Sequence, residues 1–461
     1  MFRIIYLLVL ICGFTDLLAQ SFQGSWTGTL KVGIQELKLQ IHVDSTGPHQ
    51  VIANFDSPNQ GAFGVPFSDV RIRNGVLLCR ISEADITFQA ELIAEDDMEG
   101  RWIQGGQSFP ISLKPMLESE AKPIRPQEPK PPFPYREETF MFLSDQGDTL
   151  RGTLTIPNGR KRFPAVVLIT GSGPQDRNSE ILGHKPFLVL ADYLTRSGIA
   201  VLRYDERGVG ESGGSFETAT TEDFGKDAAS AYRSLIKHKR VDKKRVGFFG
   251  HSEGGWSALI ANNELGSSPP AFLIMAAASG LPAKDLLLLQ RDRIETVQGL
   301  SKRQREKSRQ EVEVYFDLFL EANSLEEAQQ KIEGHFAKLA QSSTDAEALR
   351  KQHDLVARSM LTPWFYFFMR YDVNEGIRNI SSPTLVINGK LDTQVPAEEN
   401  TRTFRRILQQ NLIPVEVKLY DNLNHLFQTC TDGDPLKYAS NEETFSEVVM
   451  QDIAEFILNR K

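Results

Sequence analysis

The segment Gly250-His251-Ser252-Glu253-Gly254-Gly255 sets a serine among small residues, between an apolar run (Arg245 to Gly250) and a helical pattern (Glu253 to Asn263). A Gly-x-Ser-x-Gly string is a weak signal by itself. Its placement on a sharp strand-to-helix turn gives it chemical meaning, because the backbone there is strained and the flanking elements pass close, so the neighbours must be small. Ser252 is then a candidate nucleophile, and a serine hydroxyl attacks only when a base takes its proton. The chain has eight histidines. His251 sits on the turn itself and reads as packing, while His335 and His353 fall within a helical block. His425, in Leu423-Asn424-His425-Leu426-Phe427, lies just past the last predicted strand and follows every candidate acid. Asp392, in Asn388-Gly389-Lys390-Leu391-Asp392, follows a predicted strand (Thr384 to Asn388) at its carboxyl end, where open α/β sheets build their sites. Its task would be to hold the imidazole tautomer and stabilise imidazolium. Asp421 and Asp372 are its rivals, Asp372 lying early in the chain.

These groups need a sheet that presents its loops at one end, and the patterning supplies one. Ala165 to Ile169, Ala200 to Tyr204, Arg245 to Gly250 and Ala271 to Ala277 are short apolar runs. Helical stretches lie between them (Phe187 to Leu194, Thr221 to His238, Glu253 to Asn263). Such alternation predicts a mostly parallel sheet with helices on both faces. From about 284 to 371 the strands stop and helical periodicity takes over, as at Val312, Tyr315, Phe316 and Phe319. The sheet pattern then resumes at Thr384 to Asn388, continues at Val415 to Tyr420, and closes with a helix from Glu443 to Leu458. The block reads as an insertion. Trp364, Phe365, Phe367 and Phe368 form an aromatic cluster near its end. Aromatics at that density are more often core than substrate contacts, and Trp364 is the one to test for a place in a substrate pocket.

Residues 20–113 read differently. Leu37, Leu39, Ile41 and Val43 alternate with polar residues, as do Ile86, Phe88, Ala90 and Leu92, and Asn74-Gly75 between two apolar runs signals a hairpin. A small β-barrel or sandwich is expected. Seven prolines between Pro115 and Pro134 mark 114–135 as a linker to a second domain over 136–461. Arg3, the apolar run Ile4 to Phe14 and the small residue Ala19 predict an export signal over 1–19, with cleavage before Gln20. Periplasmic or extracellular localisation follows. Ile11 before Cys12 speaks against lipid attachment there. With a net charge of -8, the 461-residue chain lacks the footprint of a nucleic-acid binder. Its one basic stretch, Arg233 to Arg245, reads as a solvated helix end. No Cys/His spacing suggests zinc, no later run suggests a transmembrane segment, and no cofactor is implied. A Cys79–Cys430 disulfide is not readable from the sequence.

Ser252 on its turn, Asp392 and His425 together resemble the α/β-hydrolase superfamily. So does Tyr204-Asp205-Glu206-Arg207-Gly208-Val209-Gly210-Glu211-Ser212, which is similar to that superfamily's Asp-x-Arg-Gly-x-Gly-x-Ser turn. The resemblance runs from about Glu137 to the C-terminus. It implies an α/β-hydrolase fold with a helical cap, preceded here by a small all-β domain, and it makes Asp205 and Arg207 scaffold. It also places an oxyanion hole at the amides of Ser172, in Thr170-Gly171-Ser172-Gly173, and Glu253. That turn matches neither dinucleotide nor Walker patterns. The domain order is similar to exported bacterial carboxylesterases, on Ser57-Pro58-Asn59-Gln60-Gly61-Ala62, Gly171-Ser172-Gly173-Pro174-Gln175-Asp176-Arg177 and the Asp392 segment. Many members carry His-Gly where this chain has Thr170-Gly171. A carboxylesterase of short or medium acyl esters is the first expectation. A serine peptidase of aminopeptidase or prolyl type is the second, although Glu253 replaces the tyrosine that follows the serine in many prolyl peptidases. A non-catalytic binding protein on the same scaffold is the third.

Overall fold

The computed structural model describes residues 22–32, 35–47, 50–60, 62–117, 125–159, 162–341 and 346–460. The export signal and Cys12 lie outside these, as does 118–124 of the Pro-rich stretch. The chain divides into two compact units. The first ends at Ile124 and takes in two short later pieces, Ile181–Gly183 and Leu436–Glu442; the second comprises Arg125–Glu180, His184–Pro435 and Glu443–Lys461.

The first unit is one nine-stranded antiparallel sheet, a half-barrel rather than two stacked sheets. Its strands are β1 (Gly24–Val32), β2 (Gln35–Gly47), β3 (Gln50–Ser57), β4 (Ala62–Pro66), β5 (Asp69–Arg73), β6 (Val76–Ile81), β7 (Ile86–Ala94), β8 (Asp97–Gln104) and β9 (Gln107–Pro115). Their spatial order is β4-β3-β2-β1-β9-β8-β7-β6-β5. The period-two pattern turns Trp26, Leu39, Ile41, Leu77, Phe88 and Trp102 to a single core. Asn74 and Gly75 both have positive φ (51° and 81°), as a two-residue hairpin turn between β5 and β6 requires.

The second unit is the α/β-hydrolase fold. Its sheet comprises β10 (Tyr135–Leu143), β11 (Thr149–Pro157), β12 (Phe163–Ile169), β13 (Ala200–Tyr204), β14 (Val241–His251), β15 (Leu273–Ala276), β16 (Thr384–Gly389) and β17 (Val415–Tyr420). The order is β10-β11-β13-β12-β14-β15-β16-β17, antiparallel up to β13 and parallel from there on. The central runs Ala165–Ile169, Val246–Phe249 and Leu273–Ala276 are apolar because both faces of the sheet are covered there. In β12, Ala165, Val167 and Ile169 enter one core with Trp256, while Val166 and Leu168 enter the other with Phe187 and Phe249.

The antiparallel pair β10–β11 is absent from the sequence reading. Leu150, Leu154 and Ile156 do alternate with polar residues. The apolar runs that follow carry the stronger signal and mask this one.

Between β15 and β16 the chain forms only helices among the described residues: Ala283–Val297, Lys302–Leu320, Leu325–Ala340, Ala346–Met360, Pro363–Arg370 and Val373–Arg378. Local chemistry starts them. Ser301 and Gln304 make a reciprocal capping box, and Ser324 and Thr362 accept from the N3 amides of their own helices. Buried Tyr315, Phe316 and Phe319 join Phe365 and Phe368 in the core. The last helix begins at Glu447, four residues later than its pattern predicts. No helix among the described residues is long and apolar enough to cross a membrane. Cys79 and Cys430 are free thiols, and burial pushes Cys79 up to about 12.

Candidate active site

β14 ends at His251 and a helix, Glu253–Leu265, starts at Glu253, so Ser252 takes the whole reversal in one residue. Its φ of 57° and ψ of -123° lie where L-residues are strained, a cost on the order of 1–3 kcal/mol. Neighbouring backbone holds it there. The Ser252 amide donates to the Ala276 carbonyl of β15 at 2.9 Å, and its own carbonyl accepts from Gly255 at 3.0 Å. The glycines are required by contact. A Cβ on Gly250 would stand 2.2 Å from the Gly254 oxygen, and one on Gly254 would stand 2.3 Å from the Ile169 oxygen. Strand and helix therefore meet at carbonyl distance, and Ser252 is left half-exposed at the end of the sheet.

His425 stands on the loop after β17. Its Nε2 is 3.1 Å from Ser252 Oγ and its Nδ1 is 2.8 Å from Asp392 Oδ2. The other carboxylate oxygen of Asp392 accepts the Gln394 and Val395 amides, each at 2.8 Å. An ionised carboxylate only accepts, so Nδ1 carries the proton and Nε2 offers its lone pair to the serine. Asn424 fixes the loop, its Oδ1 accepting from the Leu426 and Gln428 amides at 3.0 and 2.9 Å. The rival acids are engaged elsewhere. Asp421 pairs with Lys390, and Asp372 caps the helix Val373–Arg378. His335 and His353 pack on Phe336 inside the insertion.

His251 does more than pack. Its Nε2 donates to the His425 carbonyl at 2.9 Å, and the two rings lie 4.9 Å apart. Burial, with the nearby His425 as a lesser cause, pushes its pKa down to about 3, so the ring stays neutral. Only its position beside the serine hints at this in the sequence.

The turn after β12 approaches the serine closely: a Cβ on Gly171 would lie 3.0 Å from Ser252 Cβ. Buried Glu206 anchors this turn at both ends, and buried Glu253 holds its middle. Thr170 Oγ1 donates to Glu206 at 2.5 Å, and the Gln175 amide donates to Glu206 at 3.1 Å. Ser172 Oγ donates to Glu253 at 2.6 Å. Thr170 is thus a partner of Glu206. Among the described residues, neither the Ser172 nor the Glu253 amide N–H has an acceptor, and both belong to segments that flank Ser252. Arg207 is tied doubly to buried Asp227 at 2.7 Å, and Arg177 to Asp205 at 2.5 Å, so the 204–212 turn is held by ion pairs.

A family model described as "Serine aminopeptidase, S33" matches residues 185–429, a stretch that contains Ser252, Asp392 and His425. The chain belongs to this α/β-hydrolase family. Over 277 residues it is 27% identical to Esterase EstD of Thermotoga maritima, covering 60% of this chain and 58% of EstD, so the match spans less than two thirds of that relative. Among solved structures it is similar to the Pyrococcus furiosus esterase Pf2001, with 16% identity, a TM-score of 0.44, and coverage of 71% of this chain and 91% of that one. It is also similar to Est1E of Butyrivibrio proteoclasticus with ferulic acid bound, with 17% identity, a TM-score of 0.43, and coverage of 70% and 98%.

Two outcomes follow from this geometry. Gly254→Ala drives a methyl group into two β12-end carbonyls and should lower stability by about 1–3 kcal/mol, the usual cost of overpacking. Urea unfolding measures it, and a wild-type midpoint would contradict the close approach. His251→Gln keeps a donor but removes a titrating ring. Unfolded histidine takes a proton near pH 6.5, the folded ring only near 3, so the native state loses stability as pH falls through this window. The slope in the native protein should exceed that of the variant by up to about 1.4 kcal/mol per pH unit. Denaturant titrations between pH 7 and 4 test this, and equal slopes would refute it.

Proposed function

We propose that this protein is a serine carboxylester hydrolase acting through an acyl-enzyme on Ser252. One observation carries the reading: the continuous hydrogen-bonded path from Ser252 through His425 to Asp392, with the lone pair of Nε2 aimed at the hydroxyl. In the first half-reaction His425 takes the Ser252 proton as Oγ attacks the ester carbonyl, and Asp392 stabilises the imidazolium. The oxyanion is received by the Ser172 and Glu253 amides, each donor of this kind being worth about 10²–10³ in kcat. The imidazolium then protonates the departing alcohol. Water, deprotonated by the same Nε2, releases the acid and restores Ser252.

The esterase likeness of EstD supports ester substrates. The family description favours the second reading, an aminopeptidase. Such an enzyme needs a carboxylate for the substrate ammonium. Asp392, Glu253 and Glu206 at this site are each already engaged by donors of the protein itself. Ester cleavage is therefore the stronger reading. The charged and then apolar N-terminus supports export as its place of action.

Ser252→Ala should abolish p-nitrophenyl ester turnover, with a loss on the order of 10⁶-fold in kcat. Aminoacyl-anilides assayed in parallel decide between the readings: their cleavage by the unaltered protein promotes the peptidase. Asp392→Asn isolates the tautomer. The Gln394 and Val395 amides require an oxygen, so the new NH2 group faces His425 Nδ1 and forces the proton onto Nε2. A loss of about 10⁴-fold in kcat with unchanged folding is the expected result. Protein recovered from the periplasm of an expressing bacterium should begin at Gln20. An intact Met1 on N-terminal sequencing would remove the export reading.

A further inference from the structure

We propose that Trp364 and Glu253 form a positioning relay that holds the Ser172 amide, so that a helix of the insertion sets the rate of chemistry at Ser252 without touching the reacting atoms. The inference rests on the serine-hydrolase reading above and adds a determinant to it.

The carboxyl group of Glu253 is buried, and three donors from three separate elements converge on it. Ser172 Oγ, from the turn after β12, lies 2.6 Å from Oε2. Thr221 Oγ1, from the start of the helix Thr221–Leu235, and Trp364 Nε1, from the helix Pro363–Arg370, both donate to Oε1 at 2.7 Å. A buried carboxyl without partners is strongly unfavourable, and burial shifts this one toward its protonated form. The convergence therefore determines where the side chain sits. The same residue supplies one of the two candidate oxyanion amides through its own backbone, and through its carboxyl it anchors the residue that supplies the other.

The far end of the relay is fixed by packing. The Trp364 ring stacks on Phe368 with centroids 5.0 Å apart and planes at 22°. Phe368 in turn stacks on Trp256 of the nucleophile helix at 4.5 Å and 28°, and Trp256 Nε1 donates to the Ser279 carbonyl at 2.8 Å. Three stacked rings fix the direction of the Trp364 N–H independently of its acceptor. An indole nitrogen can only donate, whereas the Ser172 and Thr221 hydroxyls can also accept. A neutral carboxyl at Glu253 thus keeps the Trp364 contact and reverses one hydroxyl bond. Glutamine reproduces that arrangement, with its carbonyl toward Trp364 and its amide toward Ser172.

A fluorophosphonate probe reads the relay without knowledge of the natural ester, because phosphonylation of Ser252 uses the same nucleophile and the same oxyanion donors. The variants are Trp364→Phe, which keeps the stacked ring and loses the N–H, Ser172→Ala, the double variant, Glu253→Gln, and Ser252→Ala as the unlabelled control. Trp364→Phe should lower the maximal labelling rate about 10-fold, a part of the 10²–10³ that a whole donor is worth, with half-saturating probe concentration and unfolding midpoint unchanged. Ser172→Ala should give a similar loss, and the double variant no more than about twofold beyond it, since both break one relay. Glu253→Gln, which keeps an acceptor for the indole N–H, should lose less of the labelling rate than Trp364→Phe does. Unchanged labelling in folded Trp364→Phe, losses that multiply in the double variant, or an effect on half-saturation alone would overturn the relay and leave the hydrolase reading standing. No labelling of Ser252 in the native protein would overturn both.

Discussion

The backbone of Ser252 is the constraint that organises the reacting side of the second unit. A serine in that conformation is held against its own preference, so its surroundings must over-determine it. They do so from three sides. β12 and β15 flank β14 in parallel register, and the Ser252 amide is bonded into the end of β15. The helix that follows starts close enough to β12 that no side chain fits on Gly254. With the backbone fixed, the loop after β17 brings His425 Nε2 to 3.1 Å from Oγ.

The polar groups around this turn are buried, and in a low-dielectric interior each must be satisfied or neutral. The site uses both solutions. Asp392 is satisfied, with two backbone amides on one oxygen and one imidazole on the other. His251 stays neutral, which lets it donate to the His425 carbonyl without adding a positive charge beside the base. Glu253 and Glu206 are shifted toward their protonated forms by burial, which limits the negative charge near a forming oxyanion. Glu206 holds both edges of the turn 170–175 and Glu253 holds the Ser172 side chain at its centre, while among the described residues the Ser172 amide has no acceptor.

Much of this was legible in the sequence because it follows from order and period. Apolar runs separated by helical stretches gave the parallel sheet, and the positions of Ser252, Asp392 and His425 at strand ends followed from it. Side-chain partners across long sequence distances were not legible. Glu253 entered the reading for its amide, yet its carboxyl bonds residues 81, 32 and 111 positions away, and nothing local announces such a meeting. His251 reads as packing in the sequence, since a histidine beside a serine looks the same whether or not its far nitrogen finds a carbonyl. β10 and β11 alternate weakly beside stronger runs, and a half-exposed edge needs no stronger pattern. The choice between barrel and sandwich depends on sheet curvature, which alternation does not encode.

The insertion shows why the kind of contact matters as much as its area. The aromatic cluster at its end reads as core, and Phe365 and Phe368 are indeed buried. Ring stacking alone would leave the helix free to slide by fractions of an ångström, because dispersion is shallow and weakly directional. The Trp364 N–H removes that freedom at the point nearest the nucleophile turn, since a hydrogen bond weakens steeply as its angle opens. Apolar burial thus brings the insertion to the sheet, and directional bonds, Trp364 to Glu253 and Arg293 to Glu399 among them, set its register.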